Sequence, residues 1–133
     1  MFGSFDISAS ALTAQRTRFE TIQSNIANVH VTRDADGNVN PYRRLYAVFE
    51  AQRTASGGAG VRVAQIQQDT SPLKPQYEPT NPDRDANGYV YYPNVDLPTE
   101  YINALETSRA YEANITAIET TKSMLAATLR VLA

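Results

Sequence analysis

Leu97 to Leu132 reads LPTEYINALETSRAYEANITAIETTKSMLAATLRVL, and its periodicity decides the fold. Leu97, Ala104, Tyr111, Ile118, Leu125 and Leu132 recur every seven residues, with Tyr101, Ser108, Ile115, Lys122 and Leu129 on a companion line. Steps alternating between four and three describe a heptad seam on one helix, interrupted at Ser108 and Lys122. No Gly or Pro follows Pro98, and a proline in the first helical turn loses nothing, because the N–H it lacks would have had no partner there. Asp96 or Asn94 is placed to cap the start. The expected element is one helix of about ten turns, roughly 50 Å long. Ala110, Ala113, Ala117, Thr121, Met124 and Thr128 form a second line nearly half a turn away. A helix whose back is small rather than charged is prepared for contact on two sides, although alanine also recurs simply as a good helix former.

The opening of the chain repeats the pattern. Phe5, Leu12, Phe19 and Ile26 recur in sevens, with Ser8, Gln15, Ile22 and Val29 beside them. This predicts a helix from Phe5 to Asn28, with Ser4 as N-cap and Asp6 in the first turn, where the helix dipole favours negative charge. Its seam is the weaker of the two and is expected to fold only against the other. The fold class is mainly α with a small β insertion, the N- and C-terminal helices forming an antiparallel coiled-coil pair. Residues 1–31 and 97–133 are expected to pack as one domain, with residues 32–96 looped out between them.

That middle section divides at its turn residues. Arg33 to Asn40 carries Asp34, Asp36, Gly37 and Asn38, which suit a tight turn. Tyr42 to Gln52 and Val61 to Gln67 read as two strands of an extended hairpin, joined through the glycine-rich stretch 54–60. Pro72, Pro75, Pro79 and Pro82 predict an extended arm without helix or ladder. Tyr89 to Tyr92 reads as a short strand.

Composition narrows the function classes. A 50 Å helix overruns a compact globule of 133 residues, whose radius of gyration is about 14 Å, so an elongated shape is expected. Twelve Lys and Arg against 14 Asp and Glu give a net charge of −2, with no basic stripe for nucleic acid or an anionic membrane. There is no cysteine, hence no disulfide and no thiolate metal ligand. The N-terminus lacks the basic and apolar regions of a cleaved signal peptide, and no run suits a direct membrane span.

Chemistry-bearing constellations are sparse. His30 is the only histidine, without partners for a metal site and without a nucleophile elbow around any serine. It reads as a helix-end residue. Asp83, Asp85, Asn87 and Gly88 imitate the start of a calcium loop, but Asn94 stands where a bidentate Glu is required, and Pro82 and Pro93 exclude the flanking helices. Gly57 to Gly60 lacks the Lys-Ser/Thr of a phosphate loop and precedes a strand. No catalytic residue, metal or cofactor is expected. Six of the eight tyrosines lie between Tyr42 and Tyr92. Near arginines they could stack bases, but the balanced charge favours protein contacts. Tyr42, Arg43, Arg44, Tyr77, Tyr89, Tyr91 and Tyr92 are therefore the candidate subunit contacts of the middle section.

Specific strings go further than periodicity. Ser24-Asn25-Ile26-Ala27-Asn28 and Ser108-Arg109-Ala110-Tyr111-Glu112-Ala113-Asn114 resemble the two terminal signatures of bacterial flagellar axial proteins. Phe5 to Arg16, Asn40-Pro41-Tyr42-Arg43-Arg44, Asn87-Gly88-Tyr89-Val90 and Tyr92-Pro93-Asn94-Val95 narrow the resemblance to the basal-body rod proteins, closest to those of the proximal rod. It covers almost the whole chain; Val29-His30-Val31 departs from it, standing where the family commonly has smaller or more polar residues. The resemblance implies a terminal-helix coiled coil around an axial channel and partners that are copies of itself and other rod proteins. It also implies assembly near the membrane ring and export gate, in the periplasm, with torque transmission and type III export without a cleaved signal. On that basis Phe5, Leu12, Phe19, Ile22, Ile26, Leu97, Tyr101, Tyr111, Ile115, Ile118, Leu125 and Leu129 are the expected coiled-coil and assembly residues. The alternatives are another axial protein of the rod and hook family, or a secreted helical adaptor.

Overall fold

A computed structural model of the chain, describing residues 2–53, 55 and 57–133, shows six elements. In order they are α1 (Phe2–Ala27), β1 (Leu45–Arg53), β2 (Ala59–Gln68), β3 (Lys74–Tyr77), β4 (Tyr89–Tyr92) and α2 (Leu97–Leu132). The tip expected at 54–60 lies partly outside the described residues.

Helix α2 keeps the limits its periodicity predicts. Asp96 is the N-cap residue, yet its carboxylate accepts from the Thr99 hydroxyl at 2.5 Å and makes no cap bond to a backbone N–H. Helix α1 begins earlier than expected, so Ser4 is inside it rather than capping it, and Asp6 falls beyond the first turn. Nothing before Phe5 breaks the ladder: Gly3 alone costs about 1 kcal/mol and no proline intervenes. At the other end the Asn28 side chain folds back to donate to the Ser24 carbonyl at 2.7 Å, which also accepts the Asn28 backbone N–H at 3.1 Å.

The helices run antiparallel. Asn25 meets Glu100, Arg18 pairs with Glu106, and Gln15 and Phe19 share a groove with Thr107 and Tyr111. In that register α1, about 39 Å long, falls short of α2, about 54 Å long. The last turns of α2, from about Met124, extend past the start of α1, and Val131 and Leu132 are 85% and 79% exposed there.

The seam inside the chain is rotated from the expected one. Ala104, Ile118 and Leu125 are half-buried, as the first heptad line predicts. The companion line is displaced: Tyr101, Ile115 and Leu129 are exposed, while Glu100 and Thr107 are buried and Asn114 and Thr121 half-buried. Polar residues can occupy this face because their donors are satisfied within the helix. Thr107 donates to Asn103 O, Asn114 to Ala110 O and Thr121 to Ala117 O, leaving methyl and methylene surface to pack.

Helix α1 is the two-sided element. One side faces α2. The other carries Ser10, Thr13, Ala14 and Thr17, which share a cleft with Gln52, Val61 and Val63 of the β1–β2 hairpin. Val61 N donates to Ser10 Oγ at 3.1 Å across that contact. The small side chains let a strand pair approach closely, and the hydroxyls of Thr13, Thr17 and Thr21 bond back to carbonyls four residues earlier. The layers are α2, then α1, then hairpin. Strands β1 and β2 pair antiparallel from Leu45 opposite Gln68 to Arg53 opposite Ala59, with a bulge between Val48 and Phe49.

The proline-rich stretch is not the extended arm expected. Part of it is β3, paired antiparallel with β4, and Pro75 lies opposite Tyr91. A two-stranded sheet leaves each strand an open edge, where a missing N–H breaks no bond. Two five-residue turns share one design, Asp34-Ala35-Asp36-Gly37-Asn38 before β1 and Asp85-Ala86-Asn87-Gly88-Tyr89 leading from β3 into β4. In each, the first Asp carboxylate accepts from the backbone N–H two and four residues on. Gly37 and Gly88 have φ of 80° and 85°, the left-handed backbone that glycine adopts without a Cβ penalty.

Candidate functional site

The buried set is small and, beside Gly88 and Pro93, divides evenly between apolar and polar side chains. Ala14, Ile22, Val90 and Val95 are its apolar members, and Thr21, Asn25, Glu100 and Thr107 its polar ones. Asn25 and Glu100 are fully buried, so their partners decide whether that burial is tolerable.

Both are satisfied. Asn25 Oδ1 accepts from Leu45 N at 2.8 Å and from Tyr42 Oη at 3.0 Å. Its Nδ2 donates to Leu45 O at 2.8 Å and to Glu100 Oε2 at 3.4 Å. All four bonds open to an asparagine amide are made. Glu100 Oε1 accepts from Arg44 Nε at 2.5 Å. Arg44 also donates its backbone N–H to Asn94 Oδ1 at 2.8 Å and approaches Asp69 at 3.5 Å. The Asn94 amide donates to the carbonyls of Asp69 and Ser71, both at 3.1 Å. The Ser71 hydroxyl and N–H, with the Arg44 charge adding to them, hold the Asp69 carboxyl below the usual range. The cluster ties together the end of α1, the entrance to β1, the exit of β2 and the start of α2.

This arrangement joins chain segments. No group of three His, Cys, Asp or Glu side chains placed to hold a metal ion occurs among the described residues. In the calcium-like run, Asp85 is engaged by backbone amides. Asp83 pairs with Arg33 and accepts from Thr32 at 2.7 Å, and Arg33 first, then Thr32, lowers its pKa. The His30 ring stands edge-on to Tyr92 with centroids 6.3 Å apart.

The candidate residues fall into inner and outer sets. Ile22 is buried, and Phe5, Leu12, Ile26 and Leu97 are half-buried; Phe19 and Tyr111 are just over one-third exposed. Of the first signature, Ser24 and Asn25 belong to the buried cluster, Ser24 Oγ lying 3.2 Å from Tyr42 Oη. Ile26 and Asn28 are half-buried and Ala27 is exposed. The second signature points mostly outward: Ser108, Arg109, Glu112 and Ala113 are exposed, while Ala110 and Asn114 turn partly toward α1. The middle section divides likewise. Tyr42 and Arg44 are engaged in the cluster, Arg43 donates to Ser71 O at 3.2 Å, and Tyr92 donates to Glu78 at 3.0 Å. These four make intrachain bonds. Tyr77, Tyr89 and Tyr91 are exposed, the first two stacked edge-on at 5.3 Å.

Glu100 and Asp69 escaped the sequence reading, and Asn94 reads there only as a helix-cap candidate and a failed calcium ligand. A Glu in a first helical turn reads as a dipole partner and an Asp followed by Thr and Ser reads as a turn; only their convergence in space shows the cluster.

The chain is similar to known proteins over nearly its full length. A family model described as flagella basal body rod protein matches residues 5–33. One described as flagellar basal body rod FlgEFG protein C-terminal matches residues 86–131. The flagellar basal-body rod protein FlgC of Bacillus subtilis is 41% identical, with 98% of this chain and 97% of the relative covered. FlgC of Borreliella burgdorferi is 42% identical, covering 99% and 97%. FlgC of Salmonella typhimurium is 46% identical, covering 94% and 92%.

Proposed function

The chain belongs to the FlgC family of flagellar basal-body rod proteins, and from that premise we propose that it polymerises with copies of itself and sister rod proteins into the proximal part of an axial drive shaft. It is a structural subunit of the motility apparatus and not an enzyme. In the shaft its terminal helices form a coiled-coil layer around the export channel, and the β1–β2 and β3–β4 hairpins reach neighbouring subunits. Residues 1–31 and 97–133 act as one inner unit. The subunit leaves by the type III export gate without a cleaved signal, joins the rod in the periplasm near the membrane ring, and passes torque along it.

One observation carries the mechanism: α2 is only half covered by its own chain. Tyr101, Ile102, Leu105, Ile115, Met124 and Leu129 remain exposed on a helix whose other face meets α1. Apolar side chains left in water on a rigid helix favour burial against a neighbour, at about 25 cal/mol per Å² removed from solvent. Heterologous contacts of that kind build open helical assemblies rather than closed dimers.

The test is complementation of a strain lacking the gene, with basal bodies imaged by electron microscopy. Wild-type chain should restore rods and swimming. Ile115→Asp, which places a charge on the outward face of α2, should fold with unchanged far-ultraviolet circular dichroism and leave the rod incomplete. Normal swimming with Ile115→Asp would remove that face from the mechanism.

A further inference from the structure

Gln15 carries the one orphan among the described buried side-chain polar atoms: its Oε1 has no hydrogen-bond partner. A buried acceptor without a donor is costly, so its setting matters. Gln15 lines a groove of about 410 Å³ between α1 and α2, with Arg16, Phe19, Thr107, Tyr111 and Glu112. Phe19 and Tyr111 present partly exposed rings there. The charges on its rim are unequal in availability, since Arg16 is paired with Glu20 at 3.0 Å while Glu112 has no cation beside it among the described residues. The groove therefore offers uncovered ring surface, an acceptor without a donor and a carboxylate without an ion pair among the described residues.

The overhanging end of α2 offers a complement to each. Met124, Leu129, Val131 and Leu132 are exposed and apolar, and Arg130 in the last turn pairs with no acid among the described residues. A guanidinium with five N–H donors can serve an amide oxygen and a carboxylate together. The segment cannot fill its own subunit's groove, because Tyr111 and Leu129 are held about 27 Å apart on one helix. We propose that the groove between α1 and α2 receives the overhanging end of α2, Met124 to Leu132, from a second copy of this chain, with Arg130 of that copy donating to Gln15 Oε1 and Glu112. The proposal rests on the rod-subunit reading and names the segment and the socket of one subunit contact. Tail and socket are different surfaces, so each subunit offers one of each and the contact propagates.

Charge exchange and cross-linking test it. Arg130 and Glu112 are both exposed, so reversing either leaves the monomer fold in place. Arg130→Glu and Glu112→Arg should each weaken self-association of the purified chain about fivefold in sedimentation, and the chain carrying both should recover it. The protein has no cysteine, so Ser108→Cys in the groove and Thr128→Cys in the tail report contact directly. Mixed under oxidation, they should form a disulfide-linked heterodimer that neither forms alone. Assembly without that cross-link, or unaltered by the charge reversals, overturns the socket and leaves the rod reading standing. Cross-linking only to other rod proteins overturns the choice of a second copy. Absence of any assembly, alone or with rod partners, overturns both.

Discussion

Asn25 and Leu45 exchange two hydrogen bonds of 2.8 Å, side-chain amide against backbone amide, as two paired strands would. A helix is thereby joined to a strand without a shared ladder. Asn25→Ala leaves the Leu45 N–H and C=O and the Tyr42 hydroxyl without their partner. The expected loss is about 3 kcal/mol in urea unfolding, against about 1 kcal/mol for Tyr42→Phe. Equal effects would mean that the amide does not organise the junction.

Glu100 is fully buried and Arg44 about one-quarter exposed. Removing one partner strands the other, so Glu100→Ala should cost about 3 kcal/mol. Replacing both, as in Glu100→Met with Arg44→Met, should recover most of it, because the pair's desolvation disappears with its attraction. A double variant as unstable as Glu100→Ala would place the loss in packing rather than in the stranded charge.

These residues also show where sequence stops being legible. The limits of α2, the β1–β2 hairpin and the glycine turns follow from local signals: period, strand-rich runs and left-handed glycine. The rotation of α2 does not. A hydroxyl or amide bonded to the carbonyl four residues earlier buries like a small apolar group, so Thr107, Asn114 and Thr121 face α1 while Tyr101 and Ile115 face out. Hydrophobic periodicity scores those five residues the other way round. The β3–β4 pair was hidden because Pro75 forbids a central strand, and nothing local indicates a sheet made only of edges.

The two like turns provide an internal control. Gly88 and Gly37 share a left-handed backbone, but a Cβ at Gly88 would lie 3.0 Å from Tyr77 Cε2, whereas at Gly37 it meets open space. Gly37→Ala should cost about 1 kcal/mol in thermal unfolding, the strain alone. Gly88→Ala should cost more and disturb the Tyr77–Tyr89 contact. Equal costs would show that Tyr77 moves freely aside.

Asp83 links the first turn to the second through Arg33 and Thr32, and its folded pKa is lowered. Its contribution is complete above the unfolded value near 3.9 and is lost as pH falls through the folded value below it. Wild type should exceed Asp83→Asn in melting temperature at pH 7, and the gap should close on acidification below about pH 4. A gap that persists at pH 2 would deny the carboxylate its role.

Hydrogen exchange should grade along the helix pair. Amides near Asn25 and Glu100 lie under the buried cluster, and those beyond Met124 have no helix alongside. In the free subunit protection should fall toward the end of α2, and in assembled rods that end should slow by at least about tenfold. Uniform protection in the free subunit would show that the overhang is already covered.

The layering has a mechanical consequence. Strands β1 and β2 pack along α1, and among the described residues the backbone of neither lies beside α2. A twisting load arriving at the hairpin reaches α2 by two routes, sideways through α1 or along the chain through Arg44 and Glu100. The two routes load different bonds: the first spreads over the packed length of α1, and the second concentrates on one charged contact whose acid is fully buried.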